Sequence, residues 1–393
     1  MIKLTFRDIC LLGLLFVIVS LYSCNKSTDR VNRNSVDTNS NQPRNIAGID
    51  KTFTLDDFFK TDTVLSKKVD SVFNLLSVQE RIGQMIVPSA GELGSPTAEI
   101  TKLIKEKKLG GVVLVKGTKN SFGELINLFK KTASESGGLP LIFSCDAEPS
   151  LINSKISGIP EIIHSNKILT AGKSSETAQQ ITELIKNMGF QQNFAPVCDL
   201  AMNTEIIGDR SFGNDVNKVS MLAAAFIKET QSLNIAATAK HFPGHGNVQG
   251  DSHKGLVYID GDIAEYDIFK RVIDSGVISV MVGHIAIKNN KDYSTDGLPS
   301  SISRKIVTNL LKEKMNFKGI VITDGMNMGA LNKFQYPSLS AIEAGCDMVL
   351  MPADITKLIN SASEEIKANK DFEKQVYDSV KKIIRLKICL GLM

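Results

Sequence analysis

Short apolar runs alternate with longer amphipathic segments along most of this chain. Eight runs have the length of buried strands, at residues 84–88, 111–115, 141–145, 193–197, 236–239, 279–282, 319–323 and 347–351. Helical spacing of apolar residues marks the segments 97–108, 121–135, 175–188, 216–233, 263–275 and 303–315. A closing amphipathic segment covers residues 372–386. Ser77 and Glu80 form a capping-box pattern, which predicts a helix that leads into the first strand.

This alternation predicts an α/β fold with parallel strands. Eight strand and helix units suit a single (β/α)8 barrel of the TIM type over residues 51–393, without a large C-terminal second domain. A doubly wound sheet is the alternative. Because functional groups of such barrels follow the C-terminal ends of the strands, the polar residues at those ends are the first candidates for a site.

The first 50 residues have a different pattern. Lys3 and Arg7 precede an apolar run at residues 9–21, which is short for a membrane span and typical of a signal peptide. The run ends in Leu21-Tyr22-Ser23-Cys24, which resembles a bacterial lipoprotein signal; a plain secretory peptide or an uncleaved anchor is the alternative. We therefore expect a signal peptide at residues 1–24, a lipid on Cys24, and a membrane-anchored lipoprotein in a bacterial cell envelope. Residues 25–50 are polar and predict a disordered tether.

Composition and charge limit the binding partners and the disulfide chemistry that we expect. The formal net charge is +4 over 393 residues, without a long basic run, so we expect no nucleic-acid binding. The cysteines at 145, 198, 346 and 389 are far apart and mostly in apolar surroundings, which predicts buried free thiols rather than a disulfide framework. We expect a monomer.

Residues 240–253 hold three of the five histidines of the chain. This segment follows a small apolar strand, and its proline and three glycines predict a shaped loop. In one interpretation the histidines only cap backbone groups. In a second they bind a metal, but Pro243-Gly244 interrupts the i, i+4 pair His241 and His245, and no cysteine is near. The favoured interpretation is acid/base chemistry without a metal or cofactor, in which Asp251 orients the imidazole of His253.

Polar residues also end most of the other predicted strands. Each alone has an ordinary explanation, since Asp324 could be a turn residue and His284 a hydrogen-bonded core histidine. Together they predict one pocket for a hydroxyl-rich ligand. The residues at these ends are Asp146, Glu148, Asp199, Lys240, His241, His284 and Asp324.

The run Lys240-His241-Phe242-Pro243-Gly244-His245-Gly246, followed by Asp251-Ser252-His253, resembles the signature of glycoside hydrolase family 3, in its bacterial β-N-acetylglucosaminidase branch. The resemblance extends over about residues 75 to 355. Its further segments are 193–200, 208–213, 298–303, 317–328 and 341–352.

The resemblance implies a retaining exo-β-N-acetylglucosaminidase, a β-N-acetylhexosaminidase that forms a covalent glycosyl-Asp intermediate. It implies Asp324 as the nucleophile, and His253 as the general acid/base with Asp251 as its helper. It further implies that the sugar is held by Asp146, Arg210, Lys240 and His241. The implied substrates are GlcNAc-containing oligosaccharides or muropeptides from cell-wall fragments, chitin or glycans.

One segment departs from the family pattern. After the third strand the family has Asp-x-Glu-Gly-Gly-Arg-Val and soon another Arg, whereas this chain has Asp146-Ala147-Glu148-Pro149-Ser150 and later Lys155. The lost glycines and arginines indicate a reshaped wall of the sugar pocket. Two alternatives therefore stay open: a non-catalytic sugar-binding lipoprotein on the same barrel, or a β-glucosidase or phosphorylase of the same family.

Overall fold

A computed structural model describes residues 51–248 and 250–393. The predicted signal peptide, Cys24 and the predicted tether lie outside these residues. Within the described ranges, no helix combines the length and the apolar character needed to cross a membrane.

Thirteen strands are present in the described ranges, and all of their pairings are parallel. Seven of them form one curled sheet in the order β12-β10-β8-β7-β5-β3-β2. The strands are β1 (Ile86–Val87), β2 (Ser89–Ala90), β3 (Gly111–Leu114), β4 (Gly117–Thr118), β5 (Ile142–Cys145), β6 (Ile156–Ser157), β7 (Gln192–Asn193), β8 (Ala236–Phe242), β9 (Val257–Asp260), β10 (Ser279–Val282), β11 (Ile285–Lys288), β12 (Ile320–Thr323) and β13 (Val349–Leu350).

The pair β1 and β13 spans the open side of this half-barrel. Ile86 pairs with Val349, while β1 continues along the chain into β2 at one edge of the sheet. At the other edge, Met348 forms a bridge with Ile322 of β12. The strands therefore surround a common apolar interior, and their C-terminal ends meet on one face.

Helices alternate with the strands, as the sequence predicts. They are α1 (Thr63–Asn74), α2 (Val78–Gly83), α3 (Thr97–Lys105), α4 (Lys119–Glu135), α5 (Ile152–Lys155), α6 (Ala171–Met188), α7 (Val216–Ser232), α8 (Tyr266–Asp274), α9 (Pro337–Ala344), α10 (Ile355–Ala368) and α11 (Lys370–Cys389). The segment Lys305–Lys314 is a π-helix. Short 3₁₀ helices lie at Leu55–Asp57, Ser165–Lys167, Gly208–Arg210, Ser300–Ile302 and Gly329–Leu331.

Local sequence signals set several of these boundaries. The predicted capping box opens α2, since Ser77 N donates to Glu80 Oε2 at 2.9 Å and Glu80 N donates to Ser77 Oγ at 3.2 Å. Helix α6 ends at Gly189, whose φ of 99° is the left-handed conformation that glycine adopts easily. The apolar face of α11 is buried through Val376, Val380 and Ile383.

Each of the eight predicted strand segments contains parallel pairing, so the alternating α/β organisation is confirmed. The sequence did not predict β2, β4, β6, β9 and β11. Three of these are two-residue strands. β4 pairs with β6 and β9 pairs with β11, so each forms only because a segment after another main strand supplies its partner, whereas β2 pairs with β3. The prediction of buried free thiols is confirmed for Cys145, Cys198, Cys346 and Cys389.

Lys387 on α11 is buried in the core. Its Nζ donates a hydrogen bond to Gln84 Oε1 at 2.6 Å, and burial lowers the pKa of its ammonium group from 10.5 to about 7. Between these two pH values the unfolded chain binds more protons than the folded one. The contribution of Lys387 to the free energy of unfolding therefore rises with pH across this window and is lowest below pH 7.

We expect Lys387→Met to raise the melting temperature at pH 6 and to raise it less at pH 9. The pH-dependent difference in the free energy of unfolding is on the order of 2 kcal/mol. Thermal unfolding of both proteins at the two pH values measures it. Lys381→Met on the same helix is the control, because Lys381 is partly exposed beside Asp70. An equal effect of Lys387→Met at both pH values would contradict this account of the buried lysine.

Candidate active site

A cavity of about 470 Å³ opens at the C-terminal ends of the strands. Its walls contain residues that follow β5, β7, β8 and β12, as expected for a parallel barrel-like sheet. Most of the residues predicted for the site line this cavity. Asp251 lies directly behind His253, whereas Asp199 and His284, which the sequence also places in the pocket, lie outside the lining. The polar lining residues include Asp146, Glu148, Arg210, Lys240, His241, His245, His253 and Asp324.

An ionic cluster forms one wall of the cavity. Lys240 Nζ lies 2.7 Å from Asp146 Oδ1 and 2.6 Å from Glu148 Oε1. Arg210 binds Glu148 through two hydrogen bonds, Nε to Oε2 at 2.9 Å and Nη2 to Oε1 at 2.8 Å. Burial acts to raise the pKa of Glu148, but the positive charges of Arg210 and Lys240 outweigh it and hold that pKa far below its usual range.

The free positions in this cluster indicate what it can bind. Glu148 is fully buried between two cations, whereas the side chain of Asp146 is 26% exposed. Lys240 has three N–H donors, of which two point at carboxylates. The third donor and the second oxygen of Asp146 remain for hydroxyl groups of a ligand.

Asp199 organises the loop that follows β8. This buried carboxylate accepts hydrogen bonds from the backbone N–H of His241 at 3.1 Å and of His245 at 2.7 Å, and from His241 Nδ1 at 2.7 Å. Burial acts to raise its pKa, but the adjacent His241 and His245 lower it below the usual value. An ionised Asp199 therefore holds the backbone and one ring of the loop at once.

Glu265 supports the same loop from below, and sequence reasoning missed it. Its Oε1 accepts hydrogen bonds from Gly246 N at 2.9 Å and Leu200 N at 3.3 Å. Burial, followed by the nearby Asp199, raises its pKa to about 7. A Cβ at Gly246 would lie 2.1 Å from Leu200 O, and one at Gly244 would lie 2.2 Å from Glu265 Oε2. These close approaches explain why glycine occupies both positions. Nothing in the sequence marks Glu265 as the residue that packs against them.

His245 ties the two halves of the loop together. Its Nε2 lies 2.9 Å from Ser252 Oγ, and its Nδ1 lies 3.3 Å from the amide nitrogen of Asn203. Since the amide nitrogen can only donate, Nδ1 accepts and Nε2 carries the proton. Burial lowers the pKa of His245, which keeps the ring neutral. Among the described residues no group of three or more His, Cys, Asp or Glu is arranged to hold a metal ion.

His253 and Asp251 form a hydrogen-bonded pair at the mouth of the cavity. Asp251 Oδ1 lies 2.7 Å from His253 Nδ1 and also accepts from His253 N at 2.9 Å. The side chain of His253 is 60% exposed, whereas that of Asp251 is 10% exposed. The loop rests on the segment after β12, because Gly329 N donates to His253 O at 2.9 Å. Asp251 therefore occupies Nδ1 and leaves Nε2 of His253 for a ligand.

Asp324 follows β12 directly and faces the same cavity. Its Oδ1 accepts from Gly325 N at 2.8 Å. Burial acts to raise its pKa, but the field of His241 and the Gly325 N–H outweigh it and lower the pKa, so the carboxylate is ionised. His284 lies outside the cavity lining and is fully buried, with hydrogen bonds to Ser301 Oγ at 2.7 Å and Gly325 O at 2.9 Å. The core-histidine interpretation of His284 is therefore confirmed.

The segment that departs from the family pattern forms part of the cavity wall. Ser150 Oγ donates to Asp209 O at 2.7 Å, and the chain then turns into the short helix α5. Leu151 and Lys155 of this segment line the cavity. Lys155 thus supplies a cation to the cavity lining, although the segment contains no arginine.

The sequence profile described as the glycosyl hydrolase family 3 N terminal domain matches residues 77–386. A β-hexosaminidase from Vibrio cholerae is 30% identical over 266 residues, which are 65% of this chain and 78% of that protein. A "Beta-N-acetylglucosaminidase/beta-glucosidase" from Cellulomonas fimi is 27% identical over 306 residues, 72% of this chain and 53% of that protein.

Solved structures agree with the sequence comparison. A family 3 β-N-acetylglucosaminidase from a Paenibacillus strain superimposes with a TM-score of 0.73 and 26% identity, over 81% of this chain and 63% of that one. The β-N-acetylhexosaminidase from Beutenbergia cavernae has the same fold, with a TM-score of 0.70 and 24% identity, over 78% of this chain and 97% of that one. The profile match, extending through both the ionic cluster and the His-Asp loop, establishes that the chain belongs to glycoside hydrolase family 3.

Proposed function

We propose that this glycoside hydrolase is a retaining exo-β-N-acetylglucosaminidase that removes terminal β-linked GlcNAc from oligosaccharides. One observation carries the proposal. An ionised carboxylate, Asp324, and a histidine with a free Nε2, His253, line one cavity beside the ionic cluster. The name of the Paenibacillus relative supports GlcNAc as the sugar, and that of the Vibrio relative supports a hexosamine.

The proposed reaction has two steps. First, Asp324 attacks the anomeric carbon while His253 Nε2 gives its proton to the oxygen of the leaving group, and the glycosyl-Asp bond forms as the glycosidic bond breaks. Then His253 accepts a proton from water, which attacks the same carbon and releases Asp324. Asp251 stabilises the imidazolium and holds the ring through Nδ1 in both steps.

The sugar is held by the opposite wall. Asp146 accepts a hydroxyl hydrogen through its free oxygen, and Lys240 donates its third N–H. Arg210 has fewer N–H groups left for the sugar, because three of them already bind Glu148 and the carbonyl of Ile206. His241, fixed through Nδ1 by Asp199, presents Nε2 to the cavity. These groups orient the ring so that Asp324 and His253 act on the first glycosidic bond.

We expect the purified protein to release nitrophenol from 4-nitrophenyl β-GlcNAc faster than from the β-glucoside. Asp324→Asn should lower kcat by at least about 10³-fold, since the amide is a poor nucleophile. The assay with and without phosphate separates hydrolysis from phosphorolysis. If the folded protein releases nitrophenol from neither substrate, the enzyme proposal is wrong, and sugar binding without catalysis takes its place.

We expect His253→Ala to lower kcat/KM for the disaccharide GlcNAc-β-1,4-GlcNAc by about 10²- to 10⁴-fold. The loss should be smaller for the nitrophenyl glycoside, because nitrophenolate leaves without being protonated. His164→Ala is a matched control, as His164 forms a similar pair with Asp209 at 2.6 Å but does not line the cavity. Equal losses for both substrates would argue against His253 as the general acid.

We also propose that the protein is exported and acylated at Cys24. The support is the apolar run with its basic flank and the terminal cysteine. We expect the wild-type protein to incorporate a fatty-acid label and to lose residues 1–23, and Cys24→Ser to lose the label. Wild-type protein that carries no label and keeps residues 1–23 would point to an uncleaved anchor instead.

A further inference from the structure

A second cavity of about 370 Å³ lies on the same face of the sheet. Residues after β1 and β13 form it together with the first turns of α3, and none of the residues in the proposed reaction takes part. It shares two lining residues, Asn327 and Met351, with the active-site cavity. The two cavities are therefore neighbours that meet beside Asn327.

The strand order places the second cavity beside the strand that carries Asp324. The groups proposed to hold the terminal sugar follow β5, β7 and β8, and Asp324 follows β12. Continuing in the same direction around the sheet, the next strands are β13 and β1. A leaving group that extends beyond Asp324 toward Asn327 would enter the second cavity.

Asn327 lies at the junction of the two cavities. Its side chain is near the nucleophile, because a Cβ built on Gly325 would lie 3.0 Å from Asn327 Oδ1. The residue is exposed, and among the described residues its amide group has no side-chain hydrogen bond. It is thus free to donate to and accept from a group just beyond the cleaved bond.

The chemistry of the lining indicates the ligand. Ser89, Ser95 and Thr356 supply hydroxyl groups, while Glu99 and Asp354 supply carboxylates. Among the described residues that line the cavity there is no lysine, arginine or histidine. Such a surface suits hydroxyl groups and amide N–H groups and repels a carboxylate on the ligand.

We propose that this cavity is the leaving-group subsite, and that it selects a neutral amino-sugar residue over one that carries a carboxylate. The proposal rests on the proposed function, since it assigns the substrate's orientation from Asp324 and the ionic cluster. It predicts that uncharged β-linked GlcNAc oligosaccharides are better substrates than disaccharides with a muramic acid leaving group.

The first experiment fills the subsite. Ala353 is exposed on its rim, and Ala353→Trp places an indole there. We expect the ratio of kcat/KM for the trisaccharide of GlcNAc to that for 4-nitrophenyl β-GlcNAc to fall at least about tenfold. Ala368→Trp, an exposed alanine near the other end of α10 that lines neither cavity, is the control and should leave the ratio unchanged. An unchanged ratio in a folded Ala353→Trp protein would overturn the proposal.

The second experiment reverses the charge. Glu99 is exposed in the first turn of α3 and forms no ion pair within the described residues. We expect the wild-type protein to prefer GlcNAc-β-1,4-GlcNAc to GlcNAc-β-1,4-MurNAc, and Glu99→Lys to shift that preference at least about fivefold toward the muramic acid substrate. Glu135→Lys at the end of α4 is the control. A wild-type preference for the muramic acid substrate would contradict the proposed selectivity.

Binding separates a failure of the subsite from a failure of the enzyme proposal. In Asp324→Asn, calorimetry measures the affinity for the trisaccharide and for GlcNAc without turnover. We expect the trisaccharide to bind at least about tenfold more tightly, and Ala353→Trp to remove most of that difference. Equal affinities would overturn the subsite even in an active enzyme, whereas a difference that Ala353→Trp abolishes would support it even if wild-type protein hydrolyses neither substrate.

Discussion

The site depends on a buried carboxylate, Asp199, that must find all of its hydrogen-bond donors inside the protein. An isolated charge at that depth is costly, so the loop after β8 folds around it and supplies two backbone N–H groups and an imidazole. The same constraint places Glu265 beneath Gly244 and Gly246, where no side chain would fit. The histidine-rich loop therefore takes its shape from the charges beneath it.

The ionic cluster in the cavity wall also contains a buried carboxylate whose partners lie inside the protein. Glu148 lies between Arg210 and Lys240, and breaking such a buried group by removing one partner typically costs about 3–5 kcal/mol. Glu148 neutralises one of these two positive charges, and Asp146 binds Lys240 through Oδ1 only, so its second oxygen stays open toward the cavity. The cluster is thus both a structural element and a polar surface with defined free positions, which suits recognition of a hydroxyl-rich sugar.

The two reacting groups differ in how firmly they are held. Asp324 extends directly from β12 and receives the N–H of Gly325, whereas His253 lies on an exposed loop that contacts the segment after β12 through its backbone. The proposed mechanism therefore pairs a firmly held nucleophile with an acid/base residue at the surface. The segment around Pro149 contributes Leu151 and Lys155 to one wall, and Asp324 and His253 line the same cavity.

The sequence by itself determined the alternating α/β organisation, the eight main strand segments and the buried thiols. It also predicted that Asp146, Glu148, Lys240, His241 and Asp324 share one cavity. These follow from local patterns: apolar runs make buried strands, and parallel strands bring their C-terminal ends together. Only the tertiary structure decided that His245 and His284 are structural, that Glu265 supports the loop, and that a second cavity adjoins the first at Asn327. Those outcomes depend on which distant segments meet, because the burial and the hydrogen-bond partner of a polar side chain come from residues far away in the chain.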